Sequence, residues 1–221
     1  MVTIAVLPIK RFESAKQRLR IGLDPHARET LAEAMVRDVL AALAEVHSLY
    51  RIVVVSGEAR AIAVARGRDA VIVDDRAESG QNTAAAAGIH QAVELGAERV
   101  LLVPGDCPSL EPEEVEGLLG VDEDRPAVTI VPDRHGTGTN ALLLTPPHVI
   151  EPAFGPDSFE RHIDATRAAG ARLAVAHLPS LALDIDTPAD LLALRGAKVR
   201  RATAEVIAAL SAAAGPLAIG P

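Results

Sequence analysis

Seven short runs rich in Val, Ile and Leu recur along this chain with helical patterns between most of them, and no other feature limits the fold as strongly. The runs are Thr3 to Ile9, Arg51 to Ser56, Ala70 to Asp74, Val100 to Val103, Ala127 to Val131, Ala141 to Leu144 and Leu173 to Leu178. The helical patterns cover Ala27 to Val46, Ala59 to Arg66, Asn82 to Leu95, Glu113 to Leu119 and Ser158 to Ala169. Strands that are apolar on both faces need cover on both sides, which predicts an α/β fold with a mostly parallel, Rossmann-like central sheet between helices. One domain over residues 1–196 is expected, followed over 197–221 by an Ala-rich helix and a Gly/Pro tail that read as a surface or oligomer element. Asp157-Ser158-Phe159-Glu160 reads as a capping box, and Thr187-Pro188 places proline at a first helical position.

Composition narrows the function classes. Aromatic residues make up 2% of the chain, so a base-stacking platform is nearly absent, and the net charge of −8 further disfavours a nucleic-acid partner. A small phosphorylated ligand in a local basic pocket is still compatible with that charge. The single cysteine, Cys107, excludes an intramolecular disulfide and a cysteine-based zinc site, so a reducing, cytoplasmic setting is expected. No secretory leader is expected, because the first apolar run lacks a basic segment before it and a small-residue cleavage signal after it. The least charged stretch, Val206 to Ile219, is too short and too rich in Ala, Gly and Pro to span a bilayer, so no membrane partner is expected.

In an open parallel sheet, ligands sit beyond the carboxyl ends of the strands, so polar residues that follow apolar runs are the first candidates. Lys10 and Lys16 follow the first run. They are two of only three lysines among 22 basic residues, and a lysine is a compact, mobile charge suited to a phosphate chain. A solvated loop would also accommodate them. Pro104-Gly105-Asp106 puts one carboxylate at a strand end, and Leu183-Asp184-Ile185-Asp186 supplies two more. At a strand's period of two, Asp184 and Asp186 point to one side, although Asp106 could equally serve a turn and Asp186 could cap the Pro188 helix. Three carboxylates from two strand ends suit Mg²⁺, which prefers oxygen ligands; the seven histidines show no ligand-like pairing.

The stretch Asp133-Arg134-His135-Gly136-Thr137-Gly138-Thr139-Asn140 reads as an anion-binding loop, with Thr139 and Asn140 as side-chain donors, or as a hairpin turn. Phe154-Gly155-Pro156-Asp157-Ser158 offers a second anion seat at a helix start, where free N–H groups and the helix dipole favour phosphate or carboxylate. Gly80-Gln81-Asn82-Thr83 opens another helix. Gln81 and Asn82 could read a purine edge there, or Asn82 could simply cap the helix.

Taken in order, P-I-K-R-F-E-S-A-K-Q-R-L, G-Q-N-T-A, V-P-G-D-C-P, G-T-G-T-N-A-L, F-G-P-D-S-F-E-R-H and D-I-D-T-P-A-D-L resemble the guanylyltransferase family that activates phosphoenolpyruvate or 2-phospho-L-lactate in coenzyme F-420 biosynthesis. The resemblance spans Val2 to Leu194. It implies a nucleotidyltransferase fold of the glycosyltransferase-A type, with GTP and a phosphorylated three-carbon acid as substrates. It also implies that Asp106, Asp184 and Asp186 bind the metal and that Asn140, Gly155 and Ser158 seat the acid. Asn140 stands where some phosphoenolpyruvate-using members carry threonine. The superfamily's glycine-rich G-x-G-T-R entry loop is replaced by the Lys10/Lys16 loop.

A phosphate monoester, with a second pKa of about 6, is largely ionised at neutral pH and needs no protein base to attack the α-phosphorus of GTP. The reaction instead needs charge neutralisation and alignment, which Mg²⁺ on Asp106, Asp184 and Asp186 would provide while Lys10 and Lys16 hold the triphosphate. Lys16 and Asp106 are the expected catalytic residues, with phosphoenolpyruvate favoured over 2-phospho-L-lactate as acceptor. A metal-dependent glycosyltransferase, a molybdenum-cofactor guanylyltransferase and a nucleotide-binding regulator are the rival readings.

Overall fold

In the computed structural model, residues 1–121 and 126–213 are described. The strands are β1 (Thr3–Ile9), β2 (Arg51–Ser56), β3 (Val71–Asp74), β4 (Arg99–Leu102), β5 (Ala127–Pro132), β6 (Thr139–Thr145) and β7 (Arg172–Val175). They join in one sheet in the order β3-β2-β1-β4-β6-β5-β7. Four neighbouring pairs are parallel, but β6 runs antiparallel to both β4 and β5. The reversal follows from chain length: residues 133–138 are too few for a parallel crossover, so β5 and β6 close as a hairpin. The anion-loop and hairpin readings of this stretch therefore describe the same residues.

The helices are α1 (Pro25–Leu43), α2 (Ala59–Arg66), α3 (Gln81–Glu94), α4 (Pro112–Leu119), α5 (Ser158–Ala168), α6 (Pro179–Ala182), α7 (Pro188–Ala193) and α8 (Arg201–Ala213). The period-2 alternation of the strands decides which helix covers which residue. Ala5, Leu7, Val54 and Leu101 pack with Val39 and Leu40 of α1 and Val115 of α4. Ile4, Val6, Val53 and Leu102 point the other way, onto Ala85 and Ile89 of α3, and share that face with Ile163 of α5. Truncating a strand residue such as the fully buried Leu101 to Ala should cost about 2–5 kcal/mol. α3 approaches the sheet so closely that a Cβ on Gly88 would stand 2.3 Å from Val6 Cγ1, so only glycine fits.

α8 lies against α1, and buried Asp38 of α1 accepts hydrogen bonds from Ala202 N at 3.1 Å and Thr203 N at 2.7 Å. The expected Gly/Pro tail lies outside the described residues. Among the described residues, no helix is long and apolar enough to cross a membrane.

Candidate active site

A cavity of about 730 Å³ opens along the carboxyl ends of β1 and β4, in the place that parallel-sheet topology favours. One wall begins with the loop after β1. Phe12 anchors it: the ring is 1% exposed, its N–H donates to Glu58 Oε2 at 3.0 Å, and the Arg60 guanidinium lies 5.0 Å above it. Arg28 Nη1 donates to Ala15 O at 3.1 Å, and Leu19 is buried beyond. Between these anchors Lys16 takes a left-handed backbone conformation, φ 54°, rare for a residue with a Cβ.

That backbone sends the Lys16 side chain inward, where only 6% of it is exposed. Its Nζ lies 2.5 Å from Asp106 Oδ2 and 2.9 Å from Asp186 Oδ1. Burial alone would lower the pKa of this ammonium, but the Asp106 and Asp186 carboxylates outweigh burial and hold it above the usual lysine value. Lys16 is thus a fixed charge sitting on the acids, where a free phosphate-tracking arm was expected. Lys10 is exposed on the same cavity.

All three acidic residues reach this cavity. Ile185 N donates to Asp106 O at 3.2 Å, tying the two acidic segments together, and the buried Ile185 side chain anchors the stretch from below. Residues 183–187 are not a strand, so the period-of-two argument does not apply to them, although Asp184 and Asp186 both reach the cavity. Burial, with Asp106 and Asp186 nearby, raises the Asp184 pKa to about 6, against the Asn140 amide, which donates to Asp184 at 3.3 Å.

The donor set suits a divalent cation in one direct respect: Asp106 Oδ1 is buried without a hydrogen-bond partner, an orphaned acceptor beside two more carboxylates. As the side chains lie, no three acidic, histidine or cysteine groups among the described residues form a ready metal cage. The reason is visible in the geometry, since the Lys16 ammonium stands between Asp106 and Asp186.

The facing wall is built on hydrogen bonds, with the acids Asp133 and Asp157 also on the cavity. Asn140 Nδ2 donates to Leu181 O at 2.7 Å as well as to Asp184, which fixes the amide on the cavity floor. Beside it, Thr139 Oγ1 lies 2.9 Å from His162 Nδ1, while His162 Nε2 accepts from Ala153 N at 2.9 Å. An acceptor at Nε2 places the proton of the neutral ring on Nδ1, so His162 donates to Thr139. Burial, with Arg161 adding to it, lowers the His162 pKa from 6.5 to about 4 and keeps the ring neutral.

The start of α5 differs from the expected capping box. Asp157 adopts φ 54° and its side chain makes no cap hydrogen bond. The orphan N–H groups find backbone acceptors instead: Ser158 N donates to Gly155 O at 3.2 Å and Phe159 N to Thr137 O at 3.1 Å. The turn requires φ 114° at Gly155, a conformation for glycine. Gly155 and Ser158 do line the cavity.

Of the two residues expected to face a nucleotide, Gln81 lines the cavity but Asn82 does not. Gly80 holds the cap position of α3, and Asn82, inside the helix, binds the α5 entry loop: its Oδ1 accepts from Phe154 N at 2.7 Å and its Nδ2 donates to Phe154 O at 3.3 Å. Both earlier readings of Asn82, helix cap and purine reader, are replaced by this tether.

Sequence reasoning also passed over His162 and Asp190. Asp190 forms the reciprocal box with Thr187 and pairs with Arg134 of the β5–β6 loop. The i, i+3 spacing of Thr187 and Asp190 was a readable signal for the box; nothing local announces the reach to Arg134. Cys107 is buried, with its thiol pKa raised by burial and the neighbouring acids, so it is no nucleophile.

With this geometry in view, the comparisons with known proteins converge. The family described as Guanylyl transferase CofC like matches residues 3–202. A phosphoenolpyruvate guanylyltransferase of Conexibacter woesei is 50% identical over 197 residues, covering 88% of each chain. One from Sphaerobacter thermophilus is 38% identical over 196 residues, 89% of this chain and 94% of its own. In fold, the chain is similar to CMP:2-keto-3-deoxy-manno-octonic acid synthetase complexed with CTP (TM-score 0.59, 14% identity, 89% and 98% covered). It is also similar to glucosyl-3-phosphoglycerate synthase of Mycobacterium tuberculosis (TM-score 0.59, 14% identity, 99% and 81% covered). Those likenesses carry the expected α/β nucleotidyltransferase and glycosyltransferase-A-like fold.

Proposed function

The chain belongs to the CofC-like guanylyl transferases, and on that footing we propose that it is a phosphoenolpyruvate guanylyltransferase. It joins the phosphate of phosphoenolpyruvate to the α-phosphorus of GTP, releases pyrophosphate, and yields enolpyruvoyl-2-diphospho-5'-guanosine. The relatives named above support this acceptor over 2-phospho-L-lactate. The observation that carries the reading is the pairing of Lys16 with Asp106 and Asp186 on one side of a cavity faced by Asn140, Gly155 and Ser158. At about 730 Å³ that cavity has the size of a full ligand site, with room for a nucleotide beside a small acid.

Asp106, Asp184 and Asp186 would hold Mg²⁺, which when bound neutralises phosphate charge and polarises the phosphoryl oxygens. The protein's own groups do the rest. The acceptor phosphate is already ionised at neutral pH, so no side chain has to take its proton. Asn140, Thr139 and the turn at Gly155 and Ser158 orient it, with the Asn140 amide turning its long bond to Asp184 over to the acceptor when it binds. Lys16 and Lys10 stabilise the negative charge that gathers on the departing pyrophosphate. Gln81 faces the nucleotide.

The test is pyrophosphate release across four nucleotides and several phosphorylated acids with Mg²⁺. Release confined to GTP with phosphoenolpyruvate is the expected result. Turnover only with 2-phospho-L-lactate would replace the acceptor, and GTP binding without release would replace the enzyme by a nucleotide-binding protein.

A further inference from the structure

Asp190 lies on α7, at the cavity edge beside the acidic segment, and is 5% exposed. A helix cap needs one contact between this carboxylate and the backbone, yet Asp190 makes more. Its Oδ2 accepts from Asp186 N at 3.0 Å, Thr187 N at 2.6 Å and Thr187 Oγ1 at 2.9 Å. Its Oδ1 is held by Arg134 Nη2. Arg134 belongs to the hairpin that leads into Thr139 and Asn140, and its own N–H donates to Ala182 O at 2.9 Å, just before the acidic segment. One buried carboxylate therefore grips the backbone of Asp186 while an arginine from the facing wall grips the carboxylate.

We propose that Asp190 is a positioning residue, which, held by Arg134, sets the Asp186 carboxylate for divalent-cation binding and links that affinity to the hairpin carrying the acceptor-binding residues. The proposal rests on the functional reading above for the identity of the acceptor wall. The bonds that orient a metal-facing carboxylate govern affinity nearly as much as the carboxylate itself, commonly by about 10- to 100-fold. A charged acceptor on two adjacent N–H groups is also a strong, short-range constraint on backbone direction.

The experiment titrates the full chain with Mn²⁺ and follows free Mn²⁺ by electron paramagnetic resonance, with and without GTP, so its readout does not depend on turnover. Asp190→Asn keeps an oxygen that can cap α7 but removes the charge that Arg134 holds. Arg134→Met removes the same pair from the other side, with circular dichroism reporting whether the variant is folded, and Arg134→Lys is the conservative rescue. The expected result is a Kd for Mn²⁺ about tenfold or more weaker in Asp190→Asn and in Arg134→Met, recovered in large part by Arg134→Lys. Unchanged Mn²⁺ binding in Arg134→Met overturns the proposal, even if Asp190→Asn fails to fold. A wild-type protein that binds Mn²⁺ but releases no pyrophosphate from GTP and phosphoenolpyruvate would sink the functional reading alone, and the Mn²⁺ shift would still decide the role of Asp190. No Mn²⁺ binding at all would sink both.

Discussion

The two walls of the cavity are built on opposite principles. On the wall of Lys16, Asp106 and Asp186, formal charges are packed against each other, the ammonium buried and the Asp186 carboxylate open to the cavity, and each is held in place by its opposite. On the wall of Thr139, Asn140, Gly155 and Ser158, the acids Asp133 and Asp157 also line the cavity, but position comes from amides, a neutral imidazole and backbone turns. A charged wall suits a substrate that arrives with its own counter-ion and leaves as pyrophosphate. A wall of hydrogen-bonding groups without a cation suits an anion that must be held without being trapped. Removing a group from the first should disturb rate, and removing one from the second should disturb affinity.

The sharpest test of that contrast is Lys16→Met. It leaves Asp106 and Asp186 without their shared cation and takes a fixed positive charge from the pyrophosphate side, so kcat should fall by about 10²- to 10³-fold in steady-state assays. A fall confined to KM would erase the distinction between the walls.

His162 tests the hydrogen-bonded wall by pH. Its pKa in the fold is depressed from 6.5 to about 4, so the stability it contributes is fully present above about pH 6.5 and is lost as pH falls from there towards 4. The imidazolium would surrender the bond from Ala153 N. Chemical denaturation of wild type and His162→Asn should show a stability gap at pH 7.5 that narrows by up to about 3 kcal/mol on acidification to pH 4. A gap that is constant with pH would mean the ring does not titrate with folding.

Much of the molecule is readable before any coordinates, and the exceptions have a common cause. The strand runs and helix periods predict the layered sheet because burial on two faces leaves a compositional trace in each run. Strand-end polarity picks out Asp106 after β4 and the loop of Lys16 after β1, whereas Asp184 and Asp186 follow the short helix α6, where the expected strand is absent. What stayed hidden depends on partners distant in the chain: Lys16 meets carboxylates 90 and 170 residues away, and Asn82 is claimed by a backbone 72 residues away. No local pattern encodes such pairings. The left-handed turn at Asp157 was missed because Asp157-Ser158-Phe159-Glu160 has the letters of a capping box, while the acceptors that displaced it come from Gly155 and Thr137.

A smaller effect is expected at Asn140→Ala. The cavity floor loses the amide that donates to Asp184 and, in its place, to the bound acceptor, so KM for phosphoenolpyruvate should rise about tenfold, the equivalent of one hydrogen bond, with kcat changed less. Equal losses in kcat and kcat/KM would move Asn140 to the rate-determining wall. The smallest effect belongs to exposed Lys10: Lys10→Ala should raise KM for GTP a few-fold at low salt, and the difference should shrink at high ionic strength. A salt-independent change would argue for a direct, buried contact.

The most direct measurement of the central chemistry uses GTP labelled with ³²P at the α-phosphorus, incubated with phosphoenolpyruvate and Mg²⁺. Attack by the acceptor phosphate predicts label in a diphosphate joining the enolpyruvoyl group to guanosine, with unlabelled pyrophosphate released in equal amount. Label retained in GDP, or recovered as GMP without transfer to phosphoenolpyruvate, would contradict the account.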